Sequence, residues 1–490
     1  MEEYLALLPI ILPIIGAVLT FVLSRYSEKL LGYITVIYSA FLFFLFTAYI
    51  IAIYSGSLKP FSCNSITWDL PGAVIACLVA FIGTLIIAYS FAYKHKAHFS
   101  ATYFIMYFLL MGMMNGLACT YNVIIMLIFL EAATIISAIL ILFGRTKRAI
   151  KATYVYLAIS IFEVLLVVFG AFILYNSTGT LDLSLLEPGA LSEQDMLLLA
   201  LLFLFGFGTK AGLLPLGIVW LPPAHSEAPP PISATMSGIL VMASIIAMIK
   251  AVYPFYAMSD VDTLILIIAG LGLINMFVGI IAALFSKDLK RLLAYSTVSS
   301  IGYITLGFGL ATPAAVYGSL FYIANHMLYK GCLFLIAGAL ILRVSTRQIP
   351  KMGGLIRKMP LTALSFLIAA LAISGVPLLN GFAGKELIYE GSVEAGYPVL
   401  FTLFGIEFTV FAILGWIVSI LTFICFIRAF YAIFLGEPKP ESETASDPPA
   451  VMLVPILIMA GLCIVIGIYP DLLSGVLQSA ADTLLGLTGL

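Results

Sequence analysis

Residues 197–215 read LLLALLFLFGFGTKAGLLP. An apolar run nearly long enough to cross a bilayer, which takes about 20 residues, ends on a lysine, Lys210, and a proline five residues later. An ionisable group at bilayer depth costs at least about 2.5–3.5 kcal/mol. Proline removes a backbone donor and clashes with the preceding turn, and in lipid a broken helix survives only where protein or water surrounds it. The stretch therefore predicts a broken transmembrane helix whose lysine faces a polar interior. The pattern Gly206-Phe-Gly-Thr-Lys210 returns 175 residues later as Gly381-Phe-Ala-Gly-Lys385, just after Pro377. A second echo, Gly170-Ala-Phe-Ile-Leu174 against Gly338-Ala-Leu-Ile-Leu342, is offset by 168 residues. Together they suggest two related five-helix units, and an odd number of helices per unit gives the two opposite topologies.

Composition agrees with a membrane protein. Of 490 residues 63% are hydrophobic and 10% charged, where a soluble domain carries about 25% charged residues. Apolar runs near 5–23, 31–54, 72–93, 100–119, 122–143, 152–175, 196–216, 232–254, 262–285, 293–311, 314–342, 361–396, 405–434 and 450–470 predict an all-α integral membrane fold of about fourteen transmembrane helices. The expected organisation is helices 1–3 in residues 1–98, a first repeat (helices 4–8) in 99–256, a second (helices 9–13) in 257–436, and helix 14 with a surface-lying tail in 437–490. The run from Tyr4 to Leu23 lacks a basic segment before it and reads as a first span, not a cleaved leader.

Basic residues test the count, because Lys and Arg gather in cytoplasmic loops. Eighteen of the 23 fall after odd-numbered spans, as at Arg145–Lys151, Lys287–Arg291 and Arg343–Lys358. Lys59 and Lys250 fall on the other side, with Asp69 among its acidic residues. Both termini are thus expected outside a cell membrane crossed many times. The net charge of −1 argues against a nucleic-acid partner. The six cysteines are scattered, without a C-x-x-C pair, so no cofactor and no metal site is expected.

Lys210, Lys330 and Lys385 remain inside the spans, with Glu131, Glu163, Glu407 and His326. A set spread over so many helices points to ion or proton relay more than to structural pairing. The sequence Trp220-Leu-Pro-Pro-Ala-His225-Ser-Glu-Ala-Pro-Pro-Pro231 reads as a discontinuity lining a wet interior, or as an ordinary loop.

At these residues the chain resembles the antiporter-like membrane subunits of respiratory complex I, Mrp-type Na⁺/H⁺ antiporters and membrane-bound hydrogenases. The resemblance rests on Thr209-Lys210-Ala-Gly-Leu-Leu-Pro-Leu, on Trp220-Leu-Pro-Pro-Ala-His225, on Lys287-Asp-Leu-Lys-Arg-Leu-Leu-Ala-Tyr-Ser296, and on His326-Met-Leu-Tyr-Lys330. It covers about residues 75–435. It implies fourteen helices with helices 7 and 12 broken, and a relay of Glu131, Lys210, His326, Lys330 and Lys385 in which Glu131 pairs with Lys210. Burial and a nearby carboxylate act on a lysine in opposite senses, so a movable Glu131 would switch Lys210.

The sequence departs from that family at helix 8. Where relatives carry a lysine it has Val241-Met242, where others carry histidine it has Ser237, and a further histidine position holds Gly217. His225 and Ser237, with water, are candidates to fill the gap. Glu163 lies outside the family motif and reads as a local helix partner or a further relay residue, as do Glu386 and Glu407. The implied function is proton translocation within a hydrogenase-like or related redox complex, catalytic centres lying on other chains. The alternatives are the D-type member of an Mrp Na⁺/H⁺ antiporter or a structural subunit that no longer conducts. The implied partners are the other membrane subunits of such an assembly, the lipid bilayer and protons, with Na⁺ as a further candidate.

Overall fold

The structure, a computed structural model, describes residues 3–26, 28–97, 99–187, 189–256, 261–403 and 406–487; the side chains of 28, 29, 94–97, 261, 403 and 406–408 fall outside that description. The boundaries expected at 98 and 257 fall on residues not described.

The described residues are predominantly helical. A short 3-10 turn leads into α1 (Leu8–Leu23), followed by α2 (Glu28–Tyr54). A hairpin of β1 (Phe61–Cys63) and β2 (Ile66–Trp68), with Phe61 opposite Trp68, precedes α3 (Leu70–Ala97). Then come α4 (Ala101–Ala118), α5 (Val123–Leu142), α6 (Lys147–Thr178), α7 (Glu193–Ala211) and α8 (Gly217–Glu227). The next span joins α9 (Pro230–Thr235) through a π-helical turn, Met236–Leu240, to α10 (Val241–Val252). It is followed by α11 (Val261–Phe285), α12 (Leu289–Leu310), α13 (Pro313–Val344), α14 (Pro360–Ser374) and α15 (Asn380–Glu394). A second hairpin, β3 (Phe401–Leu403) with β4 (Ile406–Phe408), precedes α16 (Val410–Phe430), α17 (Ala450–Ile468) and α18 (Asp471–Leu485).

Among the described residues, thirteen helices are long and apolar enough to cross a membrane. The twelfth expected run, 361–396, is two short helices, α14 and α15, separated at 375–379. The seventh is likewise interrupted: α7 ends at Ala211 and α8 resumes at Gly217. Both interruptions start on a left-handed glycine, Gly212 (φ +94°) and Gly375 (φ +79°), a conformation in which a side chain is strained. The expected thirteenth span starts later than 405 because 406–408 form β4. The tail is an amphipathic helix, α18, which buries Leu477, Ala480, Ala481 and Leu484 against the bundle and leaves Leu472 exposed.

Burial orders the bundle. The Pro230–Phe255 span is buried along its whole length, whereas the Leu30–Tyr54 span is 28% buried; the first is central and the second faces the surroundings. Close packing in lipid relies on small residues that let backbones touch. Helices α11 and α12 meet in this way: a Cβ on Gly272 would stand 2.7 Å from the Leu306 nitrogen, and one on Gly302 2.5 Å from the Gly272 oxygen.

The break after α7 is closed by side chains. Asn275 of α11 accepts from the Leu214 N–H at 2.9 Å and donates to the Gly212 carbonyl at 3.2 Å. Trp220 Nε1 donates to the Thr209 carbonyl at 2.8 Å. At the second break, Asn325 of α13 donates to the Asn380 carbonyl at 2.7 Å. Replacing Asn275 by Leu orphans a buried donor and an acceptor, at about 1–3 kcal/mol each. We expect Asn275→Leu to lower the thermal unfolding midpoint of the detergent-purified protein by a few degrees; an unchanged midpoint shows that the break is held by other contacts.

Candidate functional site

Lys210 occupies the last turn of α7 and is 1% exposed. Its ammonium lies 2.9 Å from Glu163 Oε1 and donates to Ser160 Oγ at 2.6 Å. The Tyr156 ring lies 4.5 Å away and the Trp220 ring, across the break, 6.0 Å. Tyr156, Ser160 and Glu163 recur at helical spacing on the buried face of α6, so a single helix side supplies the hydroxyl, the carboxylate and an aromatic wall. Glu131, expected to meet Lys210 directly or through one water, stands one step back. Its carboxyl interacts with that of Glu163 and acts on Lys210 through charge. Among the described residues no direct contact joins Glu131 to the lysine.

The centre of the bundle holds two histidines. His225, in the last turn of α8, and His326, in α13, are both fully buried. Neither ring is matched by a well-formed hydrogen bond among the described residues, although the Ser237 backbone lies close enough to act on His326. His225 lies within the electrostatic reach of Lys290 and Lys330, and His326 within that of Lys330 and His225. Lys330, one turn after His326, donates to Ser296 Oγ at 2.5 Å and the Leu293 carbonyl at 2.9 Å; no carboxylate pairs with it among the described residues. Ser237 lies in the π-helical turn, its hydroxyl 2.9 Å from that of Thr297. Met242 is fully buried.

Lys385 belongs to α15 and reaches back over the second break. It donates to the Ile373 and Ser374 carbonyls, both at 3.2 Å, and to Ser419 Oγ at 2.9 Å. Tyr303, whose ring lies 4.5 Å from the ammonium, also reaches Ser419 at 2.9 Å. Glu386 is half-buried and has no salt bridge among the described residues. Glu407 lies in β4, and its side chain is outside the described residues. The two copies of G-F-x-x-K thus sit on opposite sides of their breaks, before the first and after the second.

Three charges that the sequence places in loops are internal. Lys250 is fully buried and lies 2.9 Å from Asp69 Oδ2, while donating to the Ala118 carbonyl at 2.8 Å. Asp69 in turn accepts from the Tyr121 hydroxyl and, at 2.8 Å, from the Gly72 N–H in the first turn of α3. Lys290, 3% exposed, donates to the Ala228 carbonyl. Beside it, Arg347 bridges Glu227 at 2.7 Å and Asp288 at 2.6 Å. Burial weakens the Arg347 proton's hold, but the Glu227 hydrogen bond and the two carboxylate charges outweigh it and strengthen that hold overall. A cavity of about 290 Å³ opens here, lined by Glu227, Lys290 and Arg347. Among the described residues no three of His, Cys, Asp and Glu converge as a metal site would require.

Residues 120–412 match the family model described as NADH:quinone oxidoreductase/Mrp antiporter, TM. The chain is 31% identical over 425 residues to the D component of the Na⁺/H⁺ antiporter of Alkalihalophilus pseudofirmus, covering 86% of this chain and 83% of that one. It is 32% identical over 416 residues to hydrogenase-4 component B of Escherichia coli, covering 81% of this chain and 60% of that longer protein. In fold it is similar to a chain of the Mrp complex from a Dietzia species, with a TM-score of 0.86 at 22% identity, over 99% of this chain and 97% of that one.

The direct Lys210–Glu163 contact ranks the two glutamates. Removing one partner of a buried pair costs about 3–5 kcal/mol, because the other charge is left uncompensated. Glu163→Gln is expected to lower the thermal midpoint of the purified protein more than Glu131→Gln. The double replacement Glu163→Leu with Lys210→Met should recover most of that loss. A larger effect at Glu131 would show that it holds the ammonium.

Proposed function

The chain belongs to the NADH:quinone oxidoreductase/Mrp antiporter transmembrane family, and we propose that it moves protons as one membrane subunit of a larger assembly of Mrp, hydrogenase or complex I type. The observation that carries this reading is the row of titratable side chains inside the bundle, from a half-buried Glu131 and a buried Glu163 through Lys210, His225, His326 and Lys330 to Lys385. Every lysine in that row is held by oxygen at hydrogen-bond distance. The two histidines between them leave their ring nitrogens free of well-formed hydrogen bonds among the described residues.

In this reading the cavity beside Lys290 gives access from the basic face. Glu163 compensates the Lys210 ammonium, and Glu131, close enough to interact with Glu163, acts on that ammonium through charge from one step further back. Between Lys210 and Lys330 a proton needs a hydrogen-bonding carrier, because an isolated charge in low dielectric costs several kcal/mol. Water serves if it finds two to four polar partners. The imidazoles of His225 and His326 and the hydroxyls of Ser237 and Thr297 supply such partners, whereas Met242 supplies none. Lys385, held by neutral oxygens at the second break, is the terminal station. Residues 99–256 and 257–436 form the two repeats of this scheme, and both termini lie outside the cell membrane. Redox chemistry, where the assembly performs any, resides on partner chains.

The test is proton flux in vesicles containing the intact complex, with and without added Na⁺. Lys210→Met, Lys330→Met and Lys385→Ala should each reduce flux at least about ten-fold, general acid–base groups being worth roughly 10²–10⁴ in rate. His225→Ala and Ser237→Ala should reduce it as well. If those two leave flux untouched while Met242→Lys raises it, the central path is interrupted. Undiminished flux in all three lysine variants would make this a structural subunit.

A further inference from the structure

We infer that the basic face carries a binding site for the phosphate headgroup of an anionic phospholipid, at the junction of α6, the α11–α12 link and the segment after α13. A cavity of about 630 Å³ opens there. Arg148 from the first turn of α6, Lys287 and Arg291 around the start of α12, and Arg347 line it, against a single carboxylate, Asp288. That carboxylate is already engaged: Asp288 accepts from Arg347 at 2.6 Å and from the Arg291 backbone N–H at 3.2 Å. Among the described residues Arg148, Lys287 and Arg291 have no ion pair. Three uncompensated cations converging on one cavity repel each other, and an anion resolves this. Guanidinium groups match the oxygens of a phosphate as paired donors.

The surroundings favour a lipid as the source of that phosphate. The cavity lies where the span 262–285 ends and the span 147–178 begins, which is headgroup depth. Across the short link Phe285–Lys287, which both cavities share, a second, mainly apolar cavity of about 390 Å³ is lined by Leu284, Leu292, Ile349, Ala429 and Ala432, together with Arg428. Phe285 between them is 82% exposed. A charged chamber beside an apolar one suits a molecule with an anionic head and a hydrocarbon tail. Basic pockets between transmembrane helices recognise lipid headgroups by this chemistry.

The test uses the purified intact complex, stripped of lipid and then equilibrated with micelles containing equal phosphatidylglycerol and phosphatidylcholine. Bound lipid is counted by native mass spectrometry. The variant R148Q/K287Q/R291Q is compared with K351Q/R357Q, which neutralises exposed cations outside the cavity. Thermal midpoints confirm that both remain folded. Each basic residue near a membrane surface contributes about 1 kcal/mol, or roughly five-fold. The triple variant is expected to bind phosphatidylglycerol at least about ten-fold more weakly, and the control pair to bind it unchanged. Equal retention of the two lipids by the native complex, or equal loss in both variants, overturns the inference. Release of phosphatidylglycerol by millimolar inorganic phosphate at the same potency as by glycerophospholipid assigns the site to free phosphate and also overturns it. Loss of a neighbouring protein from the triple variant, with lipid binding intact, assigns the cations to an acidic protein segment instead.

Discussion

A lysine ammonium inside an apolar bundle must be met by oxygen, and this bundle meets its lysines in two ways. Lys210 and Lys250 each face a carboxylate at 2.9 Å. Among the described residues, the oxygens that meet Lys330 and Lys385 are hydroxyls and backbone carbonyls. The charge of the first two is compensated where it stands, and the oxygens around the second two offer dipoles alone. Buried charge without a counter-charge is costly, so an ammonium on Lys330 or Lys385 depends on what else the neighbourhood carries. In a relay that difference matters: the half with fixed anions stores charge, and the half with neutral oxygens passes it on. Lys250, paired like Lys210, stands outside the proposed relay for a different reason. Asp69 is fixed by Tyr121 and by the first turn of α3, so this pair ties α3 to α10 and has no loose member.

The breaks follow from the same need for oxygen. The Ile373 and Ser374 carbonyls that face Lys385 stand at the end of α14, and every freed backbone group inside a membrane requires another partner. Asn275, Trp220 and Asn325 supply partners from neighbouring elements. At Gly217 the geometry is tighter: a Cβ there would stand 2.2 Å from the Gly212 backbone. The family resemblance places a histidine at that position in relatives, and the close approach of Gly217 to Gly212 explains why this chain, folded as it is, has no room for one.

Much of this was legible in the chain. Apolar runs located the spans to within a few residues, because a membrane sets helix length directly. Pro215 and Pro377, each near a glycine and a lysine within an apolar run, located the breaks, because proline removes a ladder donor; Pro13 and Pro455, without such neighbours, lie inside α1 and α17. Glu163, read as a local helix partner or a further relay residue, carries a signal for its inward position: Tyr156, Ser160, Glu163, Val167 and Gly170 form one helical stripe on a helix otherwise turned outward. That stripe places the glutamate inside, facing a neighbour. The Asp69–Lys250 pair carried no such signal. Its members are 181 positions apart, near the ends of spans where charged residues ordinarily reach water, and only the packing of α3 against the bundle brings them together. The Arg347 hub is of the same kind, a loop residue whose partners Glu227 and Asp288 come from two other links.

The repeated G-F-x-x-K shows where sequence likeness and physical likeness part. Its first copy precedes a break and its second follows one. Aligning the two patterns therefore does not align the two interruptions. Yet both lysines are tied to the same kind of place. Lys210 is carried by the last turn of α7, and Lys385 lays its ammonium on the final carbonyls of α14. Each belongs to the C-terminal end of a half-helix, where unsatisfied carbonyls leave a partial negative charge of about half a unit. One lysine gets there along its own helix and the other from across the gap. The shared element is thus a lysine tied to the C-terminal end of a broken helix, and the sequence register that delivers it is free to differ. Broken helices are useful here because they place such an end deep inside the bundle, where an intact span would keep it at the surface.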